Sequence, residues 1–157
     1  MYKNVSGQTI VEAMVAISIA LVGLLGVLAL VSASLAFTND ASQKFVATYL
    51  AAEGIEIVKN IIDTNVANGA IWNTDVNDGL YKTSAADPIL RQTTGTKLKL
   101  PPDGGEYQYD NGNPTPYTRT IQIINDTDSV TVIAKVSWNA RAKDQSVEVR
   151  DIFKRWR

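Results

Sequence analysis

An uncharged apolar run near the amino terminus constrains this chain more than any other feature. The run extends from Ala13 to Val31, about 19 residues. At a rise of about 1.5 Å per residue, a helix of that length covers about 28 Å, close to the hydrocarbon thickness of a bilayer. Glu12 directly precedes the run, and an ionisable group against a membrane-length helix costs about 2.5–3.5 kcal/mol. The sequence therefore predicts a membrane-crossing helix, and some interaction must offset the cost of the carboxylate at its entrance.

The residues before the run form a recognisable signature. A small-residue junction, Ser6-Gly7, is followed by Gln8, Glu12 and the uncharged helix, and this resembles the amino-terminal signature of type IV pilins and of the pseudopilins of type II secretion. In that family a prepilin peptidase cuts after the glycine, so the resemblance implies processing after Gly7 and makes Gln8 the first mature residue. It also implies that Glu12 pairs with the free, methylated amino terminus of a neighbouring subunit.

Two departures from the family pattern change these expectations. Gln8 stands where the family usually has phenylalanine, which leaves cleavage expected but methylation of the new amino terminus open. Many major pilins carry a proline in the apolar run, and this run has none. Gly23 and Gly26 are its weak points as a helix, because each costs about 1 kcal/mol relative to alanine.

Two other interpretations fit the same stretch. Thr9 and Glu12 have the spacing of a capping box, which would make Glu12 only a helix-starting residue. The small residues of Ser34-Leu35-Ala36 suit a signal peptidase, which would release a soluble secreted domain cut near Ala36. The apolar core is longer than the roughly 7 to 15 residues of a signal peptide, and Lys3 is the only positive charge before it. We therefore favour the pilin-type leader.

Composition excludes several kinds of function. Lys and Arg total 15 against 16 Asp and Glu, which argues against a nucleic-acid partner, since such proteins need a basic surface. The chain contains neither cysteine nor histidine, so disulfides, zinc sites built on those residues and catalytic triads with an imidazole base are excluded. Because no motif places a nucleophile beside a base, we expect no enzymatic activity, no metal and no cofactor.

The helix is expected to continue to about residue 64, because residues 32–65 contain no proline and one glycine. At 100° per residue, one face of its second half is apolar and the opposite face is polar. The apolar stripe comprises Val46, Leu50, Gly54, Ile57, Val58 and Ile61, and the polar face comprises Thr48, Glu56, Lys59 and Asp63. The segment Ala51–Glu56 again resembles minor pilins and minor pseudopilins. Gly54 lies in the stripe, where a missing side chain allows close backbone approach.

Residues 65–105 are rich in Asn, Asp, Gly and Pro and predict an irregular connection. We expect one or two short strands there, near Leu80-Tyr81 and Lys97–Leu100, and the resemblance implies that this segment is variable and exposed on a filament. The stretch Asp75–Gly79 is similar to the start of a calcium loop but lacks the closing glutamate, so a solvated turn is favoured.

The last third of the chain predicts an antiparallel sheet. Strands are expected at Glu106–Asp110, Thr120–Ile124, Ser129–Trp138 and Ser146–Phe153, where β-branched and aromatic residues alternate with polar ones. The apolar face of this sheet needs a cover, which the helix stripe would provide. The tail Lys154–Arg157 is interpreted as a solvated strand end rather than a membrane or partner patch.

The sequence thus predicts an α+β, pilin-like fold with a long amino-terminal helix on a sheet of three or four antiparallel strands. Residues 1–7 would form the leader, 8–36 the transmembrane or filament-core helix, and 37–157 a periplasmic or extracellular domain. That domain would comprise helix 37–64, variable loop 65–105 and sheet 106–157.

The function expected from the resemblance is that of a structural filament subunit, more specifically a minor pilin or minor pseudopilin. Its partners would be a prepilin peptidase, other pilin or pseudopilin subunits, and the cytoplasmic membrane. Before assembly the chain would cross that membrane once with its amino terminus inside, and afterwards it would lie in a cell-surface or periplasmic filament. The alternatives are a single-span, membrane-anchored binding or adhesin domain and the secreted domain described above.

Overall fold

The computed structural model describes residues 6–155, with side chains from Gln8 onward. The chain divides into two compact units, Met1–Ser42 and Gln43–Arg157. In the first unit the described residues are all helical. The second unit contains the end of the same helix and a β-sheet, and it holds the hydrophobic core.

The helix, α1, runs from Ser6 to Ala67. It ends where Asn68 and Gly69 follow, and Gly69 adopts a left-handed conformation with φ of 71°. The amide of Asn68 donates to the carbonyl of Thr64 and that of Ala70 to the carbonyl of Asn65. A glycine in this conformation is a common way to terminate a helix, because it lets following amides reach the last free carbonyls.

Within residues 6–155 the sheet has six strands, and every pairing between them is antiparallel. The strands are β1 (Gly79–Ser84), β2 (Asp87–Gln92), β3 (Thr96–Leu100), β4 (Asn113–Asn125), β5 (Ser129–Ala140) and β6 (Lys143–Lys154). Their order is β2-β1-β4-β5-β6, and β3 pairs with the first part of β4. The predicted α+β class, with a helix packed on an antiparallel sheet, is confirmed.

The number of strands was underestimated at three or four. The strands expected near residues 80 and 97 exist as β1 and β3, and β2 lies between them, so residues 65–105 are more regular than predicted. The strand expected at Glu106–Asp110 is wrong, because only Gln108 forms an isolated bridge, to Lys99. Gly104 and Gly112 flank this segment with positive φ angles of 76° and 114°, which lie outside the extended conformation of a strand.

Strand β6 forms one edge of the sheet. All twelve of its residues are in register with β5, from Ser129↔Lys154 to Ala140↔Lys143, without a bulge. No other strand of the described chain pairs with its outer side. This edge carries six charged side chains, Lys143, Asp144, Glu148, Arg150, Asp151 and Lys154.

The core lies between the second half of α1 and one face of the sheet. The predicted helix stripe is confirmed: Leu50, Gly54, Ile57 and Val58 are buried, while Val46 and Ile61 are half-buried. Facing them, alternate residues of β5 are all buried, namely Val130, Val132, Ala134, Val136 and Trp138. The period-two pattern in β5 therefore marks the face that packs on the helix.

Of the three glycines in α1 with described side-chain surroundings, Gly54 is the one that lies against side chains of β4. A Cβ atom placed there would lie 3.1 Å from Cδ1 of Ile121 and 3.4 Å from Cδ of Arg119. By contrast, nothing lies within 4 Å of the corresponding positions at Gly23 and Gly26. The missing side chain at Gly54 therefore makes room for side chains of β4, rather than for a close approach of its backbone.

We expect Gly54→Val to destabilise the second unit by about 1–3 kcal/mol, because the added methyl groups have no space against Ile121. The measurement is thermal or denaturant unfolding of the full chain in detergent, followed by near-ultraviolet circular dichroism. Ala52→Val is the matched control, since Ala52 is exposed two residues away on the same helix. Equal stability of the two variants would contradict the close approach.

Candidate assembly site

The first unit presents an apolar helix surface in which every described side chain except that of Ala36 is exposed. Large apolar side chains from Ile10 to Phe37 are between 51% and 76% exposed. By length and composition α1 is suited to crossing a membrane, and its most apolar window contains no buried residue. Such a surface is far larger than the isolated apolar side chains normal on soluble proteins, and it is a weak sign of membrane anchoring.

Glu12 is the one charged residue in the sequence between Lys3 and Asp40. It lies in the first part of α1, and its side chain is exposed. The helix already includes Ser6, three residues before Thr9, so Thr9 lies inside the helix and cannot be its N-cap. The capping-box interpretation of Glu12 is therefore wrong.

The predicted processing junction lies at the beginning of the described chain. Gly7 and Gln8 are both helical, and the side chain of Gln8 is exposed. Lys3 and the rest of residues 1–5 lie outside the described residues. The alternative cleavage residues, Ser34 to Ala36, lie within α1.

A buried polar cluster that the sequence did not predict lies in the core of the second unit. The side chain of Arg119 on β4 is completely buried. Its Nη1 donates to the carbonyl of Leu50 on α1 at 2.8 Å, and its Nη2 donates to the carbonyl of Thr83 on β1 at 2.6 Å. Nη1 also lies 3.4 Å from Oε2 of Glu53. One guanidinium therefore joins the helix, the central strand and the β1–β2 hairpin.

Tyr109 lies beside this cluster and is also buried. Burial raises the pKa of the Tyr109 hydroxyl, the charge of Arg119 acts to lower that pKa, and the charge of Glu53 acts to raise it. Nε of Arg119 and Oε1 of Glu53 each lack a hydrogen-bond partner among the described residues. Through the contacts of Arg119, the cluster holds the helix, β4 and the β1–β2 hairpin together.

In the segment Asp75–Gly79, residues 75–78 form an irregular connection that is fastened to the end of β4, and Gly79 is the first residue of β1. Oδ1 of Asp78 accepts a hydrogen bond from the amide of Asn125 at 2.6 Å, and the carbonyl of Val76 accepts one from Nδ2 of Asn125 at 2.9 Å. Val76 is fully buried, so the segment is less solvated than a free turn. Among residues 6–155, no group of three carboxylate, histidine or cysteine side chains is placed to hold a metal ion.

The predicted strand end at the carboxyl terminus is partly described. Lys154 and Arg155 are exposed, and the amide of Arg155 donates to the carbonyl of Asp128 at 2.9 Å. Trp156 and Arg157 lie outside the described residues. The hydrogen bond from Arg155 to Asp128 extends the β5–β6 ladder by one bond beyond Lys154, the last residue of β6.

Comparison with protein-family models, with characterised proteins and with solved structures gave no match. What is established is a long apolar amino-terminal helix joined to an α+β unit. The architecture is compatible with a pilin-like protein.

Proposed function

We propose that this protein is a filament subunit that uses α1 first as a membrane anchor and then as the segment through which subunits pack together. The observation that supports this most is the exposed, uncharged helix surface of residues 13–39, which follows a single carboxylate at Glu12. An anchor alone would explain the apolar length. It would not explain a charged side chain at the point where the chain enters the hydrocarbon.

In this proposal Glu12 sets the register between subunits. Its carboxylate pairs with the amino terminus of a neighbouring subunit, a positive charge that exists at Gln8 only after the leader has been removed. A shifted register would leave both charges unpaired in an apolar environment, and this costs more than a solvated ion pair contributes. The pair therefore acts mainly by excluding misaligned packing.

The particular kind of subunit that we propose is a minor pilin or minor pseudopilin of a type IV pilus or type II secretion-like filament. The junction at Gly7-Gln8, the segment Ala51–Glu56 and the packing of a long helix on an antiparallel sheet support it. A prepilin peptidase would process the chain, and other pilin or pseudopilin subunits would surround it. The subunit would reside in the cytoplasmic membrane before assembly and in a cell-surface or periplasmic filament afterwards.

The test is the mass and amino-terminal sequence of the protein isolated from cells that contain a prepilin peptidase. We expect the wild-type chain to begin at Gln8 and the Gly7→Leu variant to keep Met1, because a bulky side chain replaces the glycine at the cut. Gly23→Leu is the matched control: it changes another helix glycine with open space around it, and it should be processed normally.

Other amino termini would contradict the proposal in distinguishable ways. A wild-type chain that retains Met1 would indicate a membrane-anchored binding or adhesin domain. A chain that begins after Ala36 would indicate a secreted domain released by a signal peptidase.

A further inference from the structure

The outer side of β6 is open to another strand, and the direction of its backbone groups can be assigned. The amide of Arg155 donates to the carbonyl of Asp128, which precedes β5. Because amides along an antiparallel strand point alternately to either side, odd-numbered residues of β6 face β5 and even-numbered residues face outward. The amide of Ile152 is consistent with this assignment, since it donates to Oδ1 of the neighbouring Asp151 at 2.8 Å. Six residues of β6, the even-numbered ones from 144 to 154, therefore present an amide and a carbonyl to an incoming strand.

The charges of β6 are complementary to those of a second β6 that runs in the opposite direction. When Val149 of one copy lies opposite Val149 of the other, Glu148 lies opposite Arg150, and Asp144 lies opposite Lys154. A two-fold axis repeats each pair, so four pairs of opposite charge form across the contact. The four charged side chains are exposed, and they share one face of the sheet because they are separated by even numbers of residues. Opposite charges in directly paired positions stabilise neighbouring strands.

Other alignments of the two strands are less favourable. Only shifts by an even number of residues bring the outward-facing groups of both strands together. A shift of two residues places Glu148 opposite its own copy in one direction and Arg150 opposite its own copy in the other, so like charges meet on the axis. A shift of four residues either brings Asp151 opposite its own copy or centres the contact on Val147. The alignment centred on Val147 pairs opposite charges again, but it joins four outward-facing residues of each strand instead of six.

We propose that β6 is a docking edge for β6 of a second copy of this chain, added antiparallel with Val149 of both copies on the two-fold axis. The contact continues the sheet of one copy into the sheet of the other through backbone hydrogen bonds, and all of its residues belong to the second unit. It closes after two copies, because both copies use the same surface. It is therefore separate from any contact that extends a filament, and it does not depend on the proposed function.

The contact has two costs, and solvent reduces both. Like charges meet where Lys143 lies opposite Arg155, but this pair is at the ends of the contact and both side chains are exposed. The Asp151 carboxylate gives up the amide of Ile152 to the second copy. Because Asp151 is exposed, water replaces the hydrogen bond that its carboxylate loses.

The test is disulfide trapping of the full chain in detergent, with Val149→Cys and, separately, Val147→Cys. The chain contains no cysteine, so any disulfide joins two copies. In the proposed alignment the two Cα atoms at position 149 lie about 4.5 Å apart, as in a non-hydrogen-bonded pair, and this distance suits a disulfide. The two Cα atoms at position 147 are offset by four residues, roughly 13 Å. We therefore expect Val149→Cys to give at least about tenfold more disulfide-linked dimer than Val147→Cys.

Val147→Cys is a matched control for Val149→Cys. Both valines are half-buried at the margin of the core, on the same face of the same strand. In the alignment centred on Val147 the preference of the two variants is reversed. The comparison therefore reports the alignment as well as the contact.

Charge reversal tests the complementarity of the two strands. Arg150→Glu brings two like-charged pairs into the contact, so we expect it to weaken dimerisation about tenfold in sedimentation equilibrium of the full chain in detergent. Combining it with Glu148→Arg makes the pairs opposite again and should restore dimerisation. Lys135→Glu is included in this rescue variant, because Lys135 on β5 pairs with position 148 and would otherwise face a like charge. Unfolding midpoints are measured to check that all variants are folded.

Several results would overturn this inference. They are the absence of disulfide-linked dimer from both cysteine variants, more dimer from Val147→Cys than from Val149→Cys, wild-type dimerisation of Arg150→Glu, or failure of the rescue variant to dimerise. A chain that forms the Val149→Cys dimer but is not processed after Gly7 would count against the proposed function and would still support this edge.

Discussion

Glu12→Ala is expected to leave the chain processed and inserted in the membrane but to reduce its incorporation into filaments about a hundredfold. The reason is that the variant would leave the positive charge of a neighbouring amino terminus without a counter-ion. If the amino terminus of a neighbouring subunit pairs with Glu12, its positive charge loses that partner among apolar helices, at a cost of about 2.5–3.5 kcal/mol, and each 1.4 kcal/mol is about tenfold in an equilibrium. Incorporation is measured as the ratio of the protein in sheared filaments to that in membranes.

A second variant of Glu12 and a control at Glu56 separate the effect of the Glu12 charge from other effects. Glu12→Gln keeps the size and hydrogen-bonding capacity of the side chain but removes its charge, and it should be nearly as defective as Glu12→Ala. Glu56→Ala is the control, because Glu56 is an exposed acid on the same helix, with Lys59 3.4 Å away. Normal incorporation of the two Glu12 variants would show that register does not depend on this carboxylate.

Arg119→Met should destabilise the second unit by about 3 kcal/mol, the largest stability effect that we expect from a single substitution. Methionine has a similar length but no donors, so the carbonyl of Thr83 loses its charged partner in the core and Glu53 loses its counter-ion. A hydrogen bond from a charged donor contributes about 1.5–3 kcal/mol, and leaving a buried acceptor unpaired adds to the loss. Glu53 is partly exposed, so water offsets some of the lost ion pair.

The measurement is denaturant unfolding of the full chain in detergent, and Glu53→Gln provides the comparison. Glu53→Gln removes the charge but leaves both carbonyl contacts of Arg119 in place, so its effect should be clearly smaller than that of Arg119→Met. If Arg119→Met unfolded at the wild-type midpoint, the guanidinium would not be what joins these elements.

Much of the fold could be predicted because its hydrophobic periods are regular. The helix stripe from Val46 to Ile61 repeats at helical spacing, and β5 alternates without interruption from Val130 to Trp138, so both gave the correct element and the correct buried face. Strand β2 was missed for a physical reason. Pro88 argues against a strand in general, but β2 lies at an edge of the sheet, where a missing amide donor is tolerated.

The Arg119 cluster was missed because a charged residue in a strand is normally expected to face solvent. A signal was nevertheless present. Arg119 lies in the same alternation as Tyr117, Ile121 and Ile123, which are all buried, so the period of β4 assigned it to the core side. An arginine at such a position needs a hydrogen-bond acceptor from the helix that covers the sheet. Glu53, next to Gly54 in the apolar stripe, was the acidic residue placed to provide one.

Arg119 acts through contacts within the chain, and the roles proposed for Glu12, Gly7 and Gln8 do not. They were selected from the local pattern of residues, and what they do depends on an enzyme and on neighbouring subunits rather than on contacts within this chain. Within the folded chain all three have a helical backbone, and the side chains of Gln8 and Glu12 are exposed. Their roles stay predictions that the processing and incorporation experiments address.

The long unpaired side of β6 has a consequence for the colloidal behaviour of the protein. An edge of twelve residues without a bulge or a proline is a ready template onto which a strand from another chain could add. The six charged residues of that strand act as gatekeepers, since an incoming strand must bring matching charges or leave them desolvated. Lysine and arginine on this edge should therefore be retained when the protein is altered for purification, because neutralising them removes its protection against intermolecular β-aggregation.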